Sequence, residues 1–153
     1  MDLEIRALAP ELAPDYFDFF ENRAFTDGSP YRCYCQMFQA SKAEAEAAYS
    51  GLASEDLGRA ARWEAERQIR EGRLRGYLAY AGGQAIGWCN ACDRANLPED
   101  PCVGPCRHAP AEARIKAVLC FEIAPEWRGR GVATALLAHA IADAAAEGYA
   151  AVE

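Results

Sequence analysis

The chain predicts a mixed α+β domain, on three observations. Two strand-like runs, 74–80 and 84–92, meet at Ala81-Gly82-Gly83, the pattern of an antiparallel hairpin. Leu57, Ala61, Ala65 and Ile69 recur every four residues, as on one face of a helix. An apolar run from Ile115 to Ala124 then passes through a glycine loop into an alanine- and leucine-rich stretch, so that a strand feeds a helix. With 153 residues, 52% of them apolar and 25% charged, the chain suits one domain, 1–153, able to bury a core.

Taken in order, Leu3, Ile5 and Ala7 alternate with Glu4 and Arg6, predicting a half-buried first strand that ends at Pro10. Pro14 suits a first helical turn, and Tyr16, Phe17, Phe19 and Phe20 give the following helix an aromatic face before the loop at Thr26-Asp27-Gly28-Ser29-Pro30. Such a cluster is more often core than a ligand box. Ser41 and Glu44 have the spacing of a capping box, which predicts a short helix ending near Ser50-Gly51. The four-residue recurrence predicts a second helix running to about Gly72.

The hairpin follows, with glycine supplying the positive φ that its turn requires. Residues 96–110 carry Pro98, Pro101, Gly104, Pro105 and Pro110 and read as a long loop. The strand 115–124 and a helix over 133–147, stopped by Gly148, come next, and Tyr149-Ala150-Ala151-Val152 begins a fifth strand. On that helix, Leu136, Leu137, Ala140, Ile141 and Ala144 mark the inward face, while His139, spaced i,i+4 from Asp143, reads as a solvent position.

The segment Arg128-Gly129-Arg130-Gly131-Val132-Ala133-Thr134 carries the chemistry. Two glycines without Cβ atoms let main-chain N–H groups turn toward an anion, and a helix start adds unpaired donors at the positive end of its dipole. A dinucleotide fingerprint would want a small residue where Thr134 stands, and no Gly-Lys followed by Ser or Thr occurs for a Walker loop. The remaining pattern, Arg128-x-x-Gly131-x-Ala133 after Pro125, resembles the pyrophosphate loop of the GNAT superfamily of acyl-CoA-dependent N-acetyltransferases. Phe121 and Ile123 ahead of it and Leu136-Leu137 behind it extend the resemblance. Cys33-Tyr34-Cys35, Gly87-Trp88-Cys89-Asn90 and Cys120-Phe121 are similar, more loosely, to a bacterial subgroup of unassigned substrate.

That resemblance implies a mostly antiparallel, twisted sheet flanked by helices. It implies transfer of an acetyl group from acetyl-CoA to a primary amine of a small molecule or protein, by direct attack. Main-chain groups of Phe121 and Ile123 would pair with the pantetheine arm, residues 128–134 would take the diphosphate, and an N–H near Ile123 would face the oxyanion. Glu122 is the candidate general base, since it points away from Phe121 and Ile123 by strand alternation. Lys116 and Ala117, nearer the strand start, offer no carboxylate; Glu153 or a water chain is the other source of a base. GNAT domains continue with another helix and further strands, so the sequence reads as lacking that C-terminal part. Truncation, a segment missing from the chain, or a partner that supplies the edge, such as a second copy in a homodimer, each account for it.

A net charge of −7 excludes a general nucleic-acid binder, whose affinity would rest on many basic contacts. No apolar stretch reaches the ~18 to 20 residues of a membrane span, and the acidic start lacks a signal peptide's basic region, so a cytoplasmic protein is expected. Seven cysteines without secretory context imply free thiols. Cys89-x2-Cys92 and Cys102-x3-Cys106 have a spacing that zinc sites use, with His108 as a weaker ligand, but thiol burial is the commoner explanation and no metal is assigned. No His/Asp companion marks Cys33, Cys35 or Cys120 as a nucleophile. A non-catalytic acyl-CoA-binding module and a zinc-binding interaction protein are the competing readings.

Overall fold

A computed structural model describes residues 2–29, 32–99 and 113–153. Its elements run β1 (Glu4–Ala7), α1 (Ala13–Asn22), α2 (Lys42–Tyr49), α3 (Ser54–Arg70), β2 (Gly76–Ala81), β3 (Gln84–Asp93), β4 (Ile115–Ile123), α4 (Val132–Ala146) and β5 (Ala151–Val152). The strands form one sheet in the order β1-β2-β3-β4-β5. All neighbours are antiparallel except β4 and β5, which are parallel because α4 carries the chain back between them. This is the mixed α+β, mostly antiparallel architecture that the sequence predicts.

Local chemistry explains the boundaries. Pro14 lies in the first turn of α1, and the Ser41–Glu44 capping box forms at α2, with Glu44 N–H donating to Ser41 Oγ at 3.1 Å and Ser41 N–H to Glu44 Oε2 at 2.9 Å. The β2–β3 turn has Gly82 at φ 57° and Gly83 at φ 79°, which matches a two-residue hairpin turn. Two cores sandwich the sheet. Tyr16, Phe19, Phe20 and Ile69 pack with Leu78 and Trp88 on one face, and Val132, Leu136 and Ala140 of α4 pack with Tyr77, Ile86 and Cys89 on the other.

Three surface expectations are corrected. Leu57, Leu137 and Ile141 are 41%, 37% and 48% exposed, so the buried stripes of α3 and α4 are narrower than their apolar content suggests. His139 is half-buried, its ring set edge-on against Tyr77 with centroids 5.0 Å apart, rather than in solvent. Asp143 turns to Lys116 Nζ, at 2.9 Å.

Lys116 is only 4% exposed. Its ammonium donates to Tyr77 Oη at 2.9 Å and meets Asp143 of α4 and Glu147, the C-cap of that helix, at 2.9 and 3.0 Å, while Tyr77 Oη also donates to Asp143. Burial works against the charged form, but these three partners outweigh it and raise the lysine above its ordinary range. Burial and the Asp143 carboxylate push Tyr77 up to about 12.

Candidate active site

The site begins with an irregularity in β4. Asn90 pairs with Cys120 but Ala91 pairs with Val118, leaving Leu119 as an extra residue, a β-bulge. Before the bulge, the main chain of Lys116 and Val118 bonds to β5, through Glu153 N–H to Lys116 O at 3.1 Å and Val118 N–H to Glu153 O at 2.8 Å. After it the alternation is inverted: Ala124 N–H donates back toward β3, to Ile86 O at 3.0 Å. The polar main-chain groups of Phe121 and Ile123 therefore face the outer edge of β4, which no strand covers among the described residues. Their side chains pack toward α4, whereas Cys120 belongs to the core on the α1 face.

Pro125 ends β4 in a single 3-10 turn, Pro125–Trp127, and the loop 128–131 follows. Gly129 and Gly131 have φ 71° and 83°, the left-handed region that glycine enters without a Cβ penalty, and a Cβ on either would meet nothing within 4 Å. Gly131 is the N-cap of α4 and supplies no side-chain cap, so no side chain covers the first amide donors of α4. Ile123, Trp127, Arg128, Gly131, Ala133 and Thr134 surround a cavity of about 320 Å³ at this helix start. Open space, uncapped donors and a helix's positive end fit a diphosphate.

Two arginines flank it. Arg130 lies over the Trp127 ring at 5.4 Å, and Arg128 folds inward: Nε donates to Ile123 O at 2.9 Å, and its terminal nitrogens meet Asp27 at 2.7 Å and Glu122 at 3.2 Å. Glu122 is thus on the α1 side of β4, opposite Phe121 and Ile123. Burial raises its carboxyl above the usual range even though Arg128 pulls the other way. Asp27, held mainly by Arg128, is lowered. Asp27 is 101 residues from Arg128 in the chain, and nothing in the sequence signals their pairing.

Next to Glu122 lies a cluster of thiols. Cys35, at φ 54°, is buried, and Asn90 Nδ2 donates to its carbonyl at 2.9 Å and reaches its sulfur at 3.5 Å. The Cys35 and Cys120 thiols act on one another, which lowers Cys120 and raises Cys35. Cys33 is raised by burial, with Cys120 and Glu122 among the groups around it. In the sequence these cysteines belong to two distant segments; packing of the 32–37 segment against β4 brings them together.

The zinc spacing does not survive the fold. Cys89 packs on the α4 face, whereas Cys92 points to the other, where Gln39 Nε2 lies 3.9 Å from its sulfur, so the two cannot share an ion. Burial drives these thiols up, to about 12 and about 11. No group of three or more His, Cys, Asp or Glu suited to a metal occurs among the described residues, and Cys102, Cys106 and His108 lie outside them. Glu153 stands at the base of the β4–β5 pair, 3.4 Å from Arg94, so it sits beside Val118 rather than beside Glu122. No described helix is long and apolar enough to cross a membrane.

The fold is similar to that of several solved structures. A ribosomal-protein-alanine N-acetyltransferase from Brucella melitensis biovar Abortus 2308 aligns at TM-score 0.56 and 16% identity, over 99% of this chain and 77% of that one. The aminoglycoside N-acetyltransferase AAC(6')-Iy with a CoA-based bisubstrate analogue aligns at 0.53 and 16%, over 100% and 78%. A GCN5-related N-acetyltransferase from Ralstonia eutropha JMP134 aligns at 0.52 and 17%, over 99% and 82%. At these identities the likeness speaks for the fold alone. No curated protein matches the chain. The family model of the acetyltransferase (GNAT) family matches residues 37–153, well over half of the chain, and the chain belongs to that family.

Proposed function

We propose that this protein moves the acetyl group of acetyl-CoA directly to a primary amine, with no covalent enzyme intermediate. One observation carries the reading: the bulge at Leu119 turns the main chain of Phe121 and Ile123 to an open edge that runs straight into the uncapped start of α4. An extended pantetheine arm would bond to that edge as an added strand. The N–H groups of residues 129–134, with Arg128 and Arg130, would hold the diphosphate.

Glu122 takes the role of base. An amine near neutral pH is protonated, and a carboxylate raised by burial is a better proton acceptor than an ordinary one. Its pairing with Arg128 puts the base and the anion site on one guanidinium. An N–H near Ile123 would be the donor that steadies negative charge on the reacting carbonyl. The acceptor is a small-molecule or protein amine.

The test is acetyl-CoA turnover across an amine panel, read as N-acetyl product by mass spectrometry, together with calorimetric titration of acetyl-CoA. Glu122→Gln is expected to lower kcat by about 10²-fold or more while leaving acetyl-CoA affinity within a factor of two or three. Wild-type protein that binds acetyl-CoA but acetylates nothing would favour a non-catalytic acyl-CoA-binding module. Protein that binds no acetyl-CoA would end the proposal.

A further inference from the structure

A second cavity, of about 740 Å³, lies between the end of α1, the segment 32–37, α2 and α3. Its size is that of a small-molecule site. Phe20, Tyr34, Met37, Tyr49 and Leu57 make most of its wall apolar. Its charged lining is Arg32, Glu46 and Glu21, the last already paired with Arg62 at 2.8 Å. Cys33 belongs to the lining as well, and the wall residues Phe20 and Tyr34 pack in the same core as Cys120, two residues before Glu122 on the same face of β4, so the cavity and the proposed base share one side of the sheet.

Gln36 supplies the specific polar feature. It lines the cavity yet is only 3% exposed. Its Nε2 donates to Tyr49 Oη at 2.9 Å, and its Oε1 is buried with no hydrogen-bond partner among the described residues. A buried acceptor left unpaired is costly, and a ligand donor would remove that cost. Because most of the wall is apolar, a ligand whose many hydroxyls must all be paired fits it less well than one with an apolar body.

We propose that this cavity is the acceptor site of the acetyl transfer and that it takes an aromatic-bodied primary amine with one further hydrogen-bond donor, rather than a polyhydroxylated aminosugar. This rests on the function proposed above. The ring lies among Phe20, Tyr34, Met37 and Leu57, the donor meets Gln36 Oε1, and the amine passes Cys33 to reach Glu122.

The probes are tyramine, phenethylamine, which lacks the hydroxyl donor, and kanamycin. Each is titrated calorimetrically into protein without acetyl-CoA, and each is assayed for acetylation with it. Wild type is expected to bind tyramine and to acetylate it with kcat/KM at least tenfold above that for kanamycin. Gln36→Leu should cut the preference for tyramine over phenethylamine about tenfold. Leu57→Arg, at a position already 41% exposed, should block the cavity and abolish tyramine binding while acetyl-CoA still binds, which keeps the test decisive if Gln36→Leu fails to fold. Protein that binds acetyl-CoA and prefers kanamycin, or does not bind tyramine, overturns this inference and leaves the acetyltransfer reading standing. Loss of acetyl-CoA binding in wild type would overturn that reading instead, and tyramine binding on its own still reports on the cavity.

Discussion

Replacing Arg128 with alanine separates its structural and functional roles. In the structure the guanidinium bonds to Ile123 O at 2.9 Å and pairs with Asp27 and Glu122 at 2.7 and 3.2 Å, yet the side chain is 46% exposed. Ion pairs at such exposure are screened and add little to stability, so the melting temperature should fall by no more than about 4 °C. A charge-assisted bond to phosphate contributes about 1.5–3 kcal/mol, and the guanidinium must give up carboxylate contacts to make it. A net loss of about 1–2 kcal/mol remains, a 5- to 30-fold weaker Kd for acetyl-CoA. The effect should depend on the diphosphate, so pantetheine, which lacks it, should bind both proteins equally. Glu122 also loses the cation that lowers it, and its carboxyl rises further. Because the base acts when deprotonated, the acid limb of the kcat/KM profile should move to higher pH. Calorimetry with both ligands and a pH–rate profile are the measurements. Acetyl-CoA affinity within twofold of wild type, or an equal loss for pantetheine, would refute the reasoning.

Other consequences are equally direct. Gly131→Ala forces a Cβ into φ 83°, which costs about 1–2 kcal/mol and should lower the melting temperature by about 2–8 °C in a thermal shift assay, with weaker acetyl-CoA binding because the first amides of α4 are re-aimed. Gly76→Ala would set a Cβ 2.0 Å from the Cys89 carbonyl oxygen, a backbone atom that cannot step aside, and soluble, cooperatively folding protein should not be recovered on expression. Glu44 is held at about 2 by bonds from Arg73 and the capping box, below its ordinary 4.5. A depressed carboxyl stabilises the fold above its unfolded value and loses that contribution as pH falls from about 4.5 toward 2. With the side chain 39% exposed the contribution is about 1 kcal/mol, so Glu44→Gln should shift the urea midpoint at pH 7 and much less at pH 2.

The parts of this fold that were legible in the sequence are those decided locally. Gly82-Gly83, the Ser41–Glu44 box, Pro125 and Gly148 act through their own backbone or a neighbour within a turn, and each stands where its chemistry requires. The glycine loop was legible for the same reason. The bulge was not, because Leu119 differs from its neighbours only in what β3 offers opposite it. The Arg128–Asp27 pair, the meeting of Cys35 with Cys120, and the orphaned Gln36 oxygen depend on segments that only tertiary packing brings together. His139 was misjudged by the same blindness: helical periodicity describes one element, and Tyr77 belongs to another.

The Lys116 cluster bears on how the cleft can move. Its ammonium holds Asp143 and Glu147, one turn apart near the C-terminal end of α4, and Tyr77 on β2. Sliding α4 lengthwise would break both carboxylate contacts together, whereas tilting it about that fastened heel breaks neither. Whatever enters beside Gly131 still meets a helix pinned at both ends, by the lysine at the heel and by Val132 and Leu136, buried against the sheet, at the toe, so the anion site stands ready-made rather than closing around its ligand.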